Sequence, residues 1–369
     1  MKRLWIRGLC LVMLFACLCS LTACGYGCGQ RDKYKIACFA YKFDDSYVTT
    51  VRTALENALK PHRDEITMTI YNGENNQQAQ SAQIDTALTQ GVDLLLINAV
   101  DFQAAGEGLA KKAKDKRIPA IFFNREVSDA AIAMDDQFCF VGTDPNAPGY
   151  MVGELIAEML GSDEAFRRYD RNGDGKIQYA MFRAEVGNAE ADGRTQYSVS
   201  EANRLLAENA ALTAANKAGG VLTRVGADQL ANWSSATANN MMGSLFQITG
   251  GVPNIELVIC NNDDMALGVI SALEAKGYNR AGSREGDPTH YIPVFGVDAL
   301  ATAMDAIRAG KMEGTVRQDG AAMADAILKI VFNIKEGRPL LDGTDYAFDE
   351  GTRKLRIPYY KITAEDTKG

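Results

Sequence analysis

The chain has 369 residues, 47% hydrophobic and 23% charged, enough apolar material for more than one packed core. Glycine is abundant (34), proline is scarce (9) and no tract is of low complexity, which excludes a largely disordered chain. The formal net charge is −8 and no stripe gathers lysine and arginine, which argues against a nucleic-acid partner. Residues 1–23 stand apart. Lys2, Arg3 and Arg7 precede an apolar stretch from Leu9 to Leu21, and small residues follow at once. This is the pattern of an export signal, with an apolar core shorter than the roughly 20 residues of a membrane span. Removing it takes three positive charges from −8 and leaves −11.

After Lys33 the pattern alternates. Strands are expected at Tyr34–Tyr41, Ile66–Tyr71, Asp93–Asn98 and Pro119–Asn124. Helical spacing falls between them at Tyr47–Leu59, at Gln77–Thr89 before Gly91, and at Phe102–Lys116. The series then restarts. Strands are expected at Phe138–Val141, Gln178–Arg183, Gly220–Arg224, Ile255–Cys260, Ile292–Val297 and Lys354–Tyr359. The accompanying helices are Gly149–Met159, Gly193–Glu208, Ser234–Phe246, Asp263–Lys276, Thr302–Arg308 and Asp319–Ile334. The polar stretch Asn279–Tyr291 reads as an exposed loop. Helices alternating with near-continuous apolar strands imply α/β architecture with parallel sheets covered on both faces. So many units exceed one comfortable domain, and two doubly wound lobes are the natural solution. Cys38, Cys139 and Cys260 lie in apolar runs and are expected as buried free thiols.

Ligands of open α/β sheets bind beyond the C-terminal strand ends. There the sequence repeatedly places Asn or Asp: Asp45 in YKFDDSY, Asn98, Asn124 in FFNRE, Asn261–Asp263 and Asp298 in GVDA. Each of these also suits a helix N-cap. As a set they would ring one cleft with amides and carboxylates, joined by Arg125 and Arg194. Planar groups of this kind suit adjacent hydroxyls on a compact polar ligand. Tyr47 and Trp233 could cover its apolar faces. GxSxG, HExxH, GxGxxG after the first strand and a P-loop are all missing, and His62 and His290 have no metal-ligand spacing. A carboxylate pair drawn from Asp45, Asp263 and Asp298 leaves an exported glycosidase as a competing reading.

The stretch YDRNGDGKIQYAMF opens like a calcium loop. Asp170, Asn172 and Asp174 occupy positions 1, 3 and 5, Gly175 position 6, Lys176 position 7 and Gln178 position 9. Position 12 is Met181 instead of a bidentate glutamate. Three readings stand: a broken loop, an Asp/Gly turn, or a loop whose last ligand comes from elsewhere. IQYAMFR alternates like a strand, which would carry the chain away from an ion.

Two resemblances follow from these residues. Leu21-Thr22-Ala23-Cys24 resembles the processing box of bacterial lipoprotein signals. It implies a lipid-bearing Cys24, a tether over 24–33 and a membrane-anchored product. From Lys33 to about Ile362 the chain resembles the periplasmic D-galactose/D-glucose-binding proteins. The landmarks are YKFDDSY, INAVD, IPAIFFNRE, FVGTDPNAPG, DRNGDGKIQY, IELVICNNDDMALG, IPVFGVDAL and IPYY. The resemblance implies a type I periplasmic binding protein fold with two lobes and a three-segment hinge. The expected lobes are 34–142 with 319–352 and 143–318 with 353–369.

The implied sugar site is Asp45, Tyr47, Asn124, Asn188, Glu190, Arg194, Trp233, Asn262, Asp298 and Gln318. Three of these depart from the family, which has histidine, aspartate and asparagine where this chain has Asn188, Glu190 and Gln318. The implied calcium shell is Asp170, Asn172, Asp174, Gln178, the Lys176 carbonyl and, from eighty residues away, Glu256. The implied role is extracytoplasmic hexose capture by a monomer that delivers D-glucose or D-galactose to an ABC permease. A sensor or chemoreceptor is the alternative partner.

Overall fold

A computed structural model describes residues 33–368. The expected signal, Cys24, Cys28 and nearly all of the tether lie outside the described residues.

The first half lays down β1 (Tyr34–Ala40), α1 (Ser46–Leu59), β2 (Ile66–Asn72), α2 (Gln77–Gln90) and β3 (Leu94–Ile97). It continues through α3 (Gly106–Lys116), β4 (Ala120–Phe123), α4 (Asp129–Ala133) and β5 (Phe138–Gly142). The chain then enters a second lobe. This begins with α5 (Ala147–Met159), α6 (Asp163–Tyr169), β6 (Ile177–Arg183), α7 (Ala189–Glu208), β7 (Leu222–Arg224) and β8 (Gln229–Leu230). It proceeds through α8 (Ser235–Ile248), β9 (Leu257–Cys260), α9 (Asp263–Glu274), α10 (Ser283–Gly286), β10 (Val294–Phe295), α11 (Ala301–Arg308) and β11 (Thr315–Gln318). Helix α12 (Gly320–Lys335) returns to the first lobe, followed by β12 (Lys354–Arg356) and β13 (Tyr359–Ile362).

Strands β12-β5-β4-β3-β1-β2 form one parallel sheet, and β10-β9-β6-β7, with β8 beside β6, form the other. The pleat explains the unbroken apolar runs. Ile36 and Cys38 of β1 enter the core beneath α12, while Ala37 and Phe39 enter the core on the opposite face. In β6, Ile177, Tyr179 and Met181 face one core and Ala180 and Phe182 the other. Met181 is therefore a core residue of a sheet covered on both sides. Cys38, Cys139 and Cys260 are buried and unpaired, and burial pushes the thiols of Cys38 and Cys139 up to about 12.

Three passages join the lobes: at Thr143, after Gln318, and between β12 and β13. The third differs from the expected crossing at Arg353. Lys354–Arg356 still pairs with β5 of the first sheet, whereas Tyr359–Ile362 pairs antiparallel with β11. The single strand expected over Lys354–Tyr359 is broken by Pro358, which cannot donate to a ladder. The passage thus falls at Ile357–Pro358. Asn279–Tyr291, expected as an exposed loop, is largely exposed between its ends but carries the short helix α10, and its ends are anchored. Asn279 and Tyr291 are fully buried. Asn279 donates to the carbonyls of Ile292 and Lys311 and accepts the Ile292 amide, so this segment is stitched to the lobe.

Candidate functional site

The sheets point the C-terminal ends of their strands toward a common cleft, and the ten residues expected at one site all line a single cavity there. The space open to the centre of a water molecule is about 60 Å³.

Several of these residues are at once helix caps and cavity walls. Asp45 caps α1 by accepting the Val48 amide at 2.8 Å, and its other oxygen accepts the Tyr41 hydroxyl at 2.5 Å. Asn188 caps α7, accepting the amides of Glu190 and Ala191 at 3.0 and 3.2 Å. Asn262 caps α9 by accepting the Met265 amide at 3.0 Å. The capping and ligand-facing readings of these residues are thus compatible. The backbone is also unusual at the site. Asn124, Trp233 and Asp298 have φ of 60°, 64° and 121°, in the region that L-residues seldom adopt. Non-glycine residues in such conformations concentrate at ligand clamps.

Asn98 does not line the cavity. It is buried and supports a neighbour: its Nδ2 donates to Asn124 Oδ1 at 3.0 Å, while its Oδ1 accepts the Tyr41 amide. With its oxygen occupied, Asn124 keeps its amide nitrogen for the cavity. Asn261 is similar, holding Ala184 and Thr195 through its side chain and Arg194 through its carbonyl. Asp263 is also withdrawn. Its oxygens accept the Thr315 hydroxyl at 2.7 Å and the Leu300 amide at 2.8 Å. Asp263 therefore cannot serve as half of a carboxylate pair facing this cavity.

Arg194 is the electrostatic centre. It is 3% exposed and donates to Glu190 (2.8 Å), Gln318 (3.1 Å), the Tyr359 hydroxyl (3.2 Å) and the Asn261 carbonyl (2.8 Å). Its Nη1 lies 3.6 Å from Asp298 and its guanidinium 5.6 Å from the Trp233 ring. Burial alone would lower its pKa, but Tyr359, Glu190 and Asp298 together hold it above the ordinary value. Burial pushes Asp298 well above the usual carboxylate range, opposed by Arg194 and reinforced by Asp263. Where the chain departs from the sequence pattern, the longer side chains find partners on the passages: Glu190 and Gln318 both meet the Thr143 hydroxyl, at 2.9 and 3.3 Å. The Tyr47 ring lines the cavity, while its hydroxyl turns inward to Met323 Sδ at 3.7 Å.

Beyond the residues expected from sequence, Tyr41, Phe102, Glu126, Thr143, Pro145 and Ala189 also line the cavity. Tyr41 stood inside YKFDDSY, one residue past a strand, and that position was its signal. Phe102 was assigned to a helix. In fact α3 starts only at Gly106, because the Asp101 carboxylate caps a preceding turn at the Ala104 amide. Arg125 was expected near the cleft and is there, stacked over Tyr41 and Phe102 at 4.3 and 5.0 Å.

In the Asp170–Gln178 loop, Glu256 packs against the loop backbone. Its oxygens accept the amides of Arg171 at 2.6 Å and Gln178 at 2.9 Å. Asp170 accepts the amides of Gly173 and Gly175, and Asp174 that of Lys176. Among the described residues no three His, Cys, Asp or Glu side chains converge on one point. The donor set is nonetheless hard oxygen throughout, and Gln178 Oε1 is buried without a hydrogen-bond partner, so the residues fit a calcium ion. On the far side of the loop the Lys176 ammonium sits among the carbonyls of Asn216, Ala218 and Gly220.

Comparison with known proteins places these features. A family model described as a periplasmic binding protein domain matches residues 36–339. The D-galactose/methyl-galactoside binding periplasmic protein of Haemophilus influenzae is 31% identical over 332 residues, 90% of each chain. A xylitol-binding protein of Mycolicibacterium smegmatis is 27% identical, covering 84% of this chain and 77% of its own. Two solved structures share the fold. A solute-binding protein of Actinobacillus succinogenes 130z with bound D-allose has a TM-score of 0.68 at 19% identity, covering 91% of this chain and 99% of its own. One of Bacillus halodurans C-125 with bound myo-inositol has 0.66 at 22%, covering 92% and 98%.

Proposed function

Because this chain belongs to the periplasmic binding protein family, we propose that it captures a single hexose, D-glucose or D-galactose, in the cell envelope and delivers it to an ABC importer. It is a binding protein, not an enzyme, and its fold is that of solute-binding proteins. The observation that carries the hexose reading is the interlobe cavity, whose wall combines Asp45, Asn124, Arg194, Asn262 and Asp298 with the rings of Tyr47 and Trp233. Planar amides, carboxylates and a guanidinium match vicinal hydroxyls, and aromatic faces match the CH faces of a pyranose. The relatives bind galactosides and xylitol, and the fold neighbours hold D-allose and myo-inositol. All are polyhydroxylated and close to one ring in size.

Closure of the lobes about the three passages would bury the sugar and form the surface a permease reads. Calcium, held by Asp170, Asn172, Asp174, Gln178, Glu256 and the Lys176 carbonyl, would serve as a structural clip remote from the sugar. Lipid on Cys24 would anchor the chain to a membrane. The test is titration calorimetry with D-glucose, D-galactose, D-allose, myo-inositol and xylitol. A micromolar or tighter dissociation constant is expected for D-glucose or D-galactose. Absence of heat with both would remove the assignment.

A further inference from the structure

Beside the interlobe cavity lies a second, larger one, where the space open to the centre of a water molecule is about 370 Å³. Tyr41, Phe102, Arg125, Asn188 and Trp233 line both cavities and so form the partition between them. Across this partition Arg125 of the first lobe pairs with Glu185 of the second at 2.7 Å. Asn188 Nδ2 donates to the same glutamate oxygen at 3.2 Å. The Arg125 side chain is only 10% exposed, pressed against the Tyr41 and Phe102 rings. Gln103 of the first lobe also donates to the Gly187 carbonyl, so the loop carrying Glu185 is held at two points. The outer cavity has the makings of a ring site itself. Asn75, Asp101 and Asn232 line it together with Phe102 and Trp233.

We propose that the Arg125–Glu185 pair is a selectivity gate. Closed, it ends the inner cavity and confines the ligand to one unsubstituted ring. Opened, it would let a substituent pass into the outer cavity. The inference rests on the sugar-receptor reading but makes a separate claim, that the size limit is set by this pair and not by the inner wall. A planar guanidinium clamped between two aromatic rings and a carboxylate is a stiff partition, unlike a flexible lysine.

The experiment compares the hexose that binds, D-glucose or D-galactose, with derivatives bearing one phenyl group at O1, O2, O3, O4 or O6 in turn. Wild-type protein is expected to bind every derivative at least tenfold more weakly than the parent. In Arg125→Ala the preference should fall at least tenfold for the attachment point that faces the partition. Glu185→Gln should lower it by a smaller factor. Should Arg125→Ala fail to fold by circular dichroism, the half-exposed Glu185→Ala decides the matter. Wild-type protein binding a phenyl derivative as tightly as the parent would overturn the gate. So would unchanged preferences in the variants. Failure of every hexose to bind would overturn the receptor reading and the gate with it, whereas hexose binding with unchanged preferences would overturn the gate alone.

Discussion

The Tyr359 hydroxyl accepts a hydrogen bond from Arg194 at 3.2 Å and donates one to Thr143 at 3.0 Å. Tyr359 opens the strand after the third passage, Thr143 belongs to the first and Gln318 to the second, and all three meet at this guanidinium's surroundings. The cavity wall and the segments that must bend are therefore one hydrogen-bonded unit. Tyr359→Phe removes both bonds without altering shape. A hydrogen bond has a net value of about 0.5–1.5 kcal/mol. Sugar affinity should fall by roughly twofold to thirteenfold on that basis. Stopped-flow tryptophan fluorescence should show the loss mainly as faster release. Identical rates in the two proteins would disconnect the hinge from the site.

Asp45 offers a sharper test of the site. Its carboxylate is shared between a helix cap, a tyrosine and the cavity. A hydrogen bond to a charged group has a net value of about 1.5–3 kcal/mol. Asp45→Ala should therefore weaken hexose binding roughly tenfold to hundredfold, while losing the cap lowers stability by about 0.5–2 kcal/mol. Calorimetry and thermal melting separate the two effects. Affinity equal to wild type would show that the cavity does not hold the ligand through this residue.

Burial pushes the Asp263 carboxyl up to about 7 from 3.8, against the pull of the Thr315 hydroxyl and Leu300 amide, with Asp264 raising it and Arg194 lowering it. Asp298 titrates in the same surroundings and is also raised. Between the unfolded and folded values the native protein holds a proton that the unfolded chain has released. That contribution to stability is complete below 3.8 and is lost as pH rises through about 7. Asp263→Asn can keep both contacts and does not titrate. From pH 5 to 8 the melting temperature of wild type should decline more steeply than that of the variant. Parallel curves would show that Asp263 is ionised throughout.

For the loop, addition of calcium should raise the melting temperature and chelation should lower it. Glu256→Gln should remove most of that difference; its single amide oxygen can keep only one of the two backbone contacts, to Arg171 or to Gln178, so the variant is also expected to melt lower than wild type in the presence of chelator. A melting temperature indifferent to both calcium and chelator would leave Glu256 as a purely internal acceptor of backbone amides.

Much of this architecture can be read from residues alone, because each buried strand is a local apolar run and each cleft residue follows one. Ile36 to Ala40, Leu94 to Ile97 and Leu257 to Cys260 need no partner to be recognised. What escapes such reading depends on distant pairing. Residues 354–362 look like one strand until β5 claims one part and β11 the other. Asn279 looks like loop punctuation until two carbonyls and an amide close around it. Glu126 closes the FFNRE motif, but its partners are not local. It lines the cavity and binds Lys354 at 2.7 Å and Arg356 at 2.5 Å, more than two hundred residues away. These ion pairs hold its carboxyl below the usual range although burial alone would raise it.

The ammonium of Lys176 among three carbonyls amounts to a cation that the chain carries with it. It cannot be dialysed away, competed off by magnesium or extracted by a chelator. With the proposed calcium bound, the loop would have two fastenings of different permanence, one built into its own sequence and one borrowed from solution. In a calcium-poor environment the Asn216–Gly220 turn should stay docked while the Glu256 side loosens. Amide hydrogen exchange that quickens at Asn172 and Gly173 but not at Ala218 would be the mark of a clasp that opens from one end only.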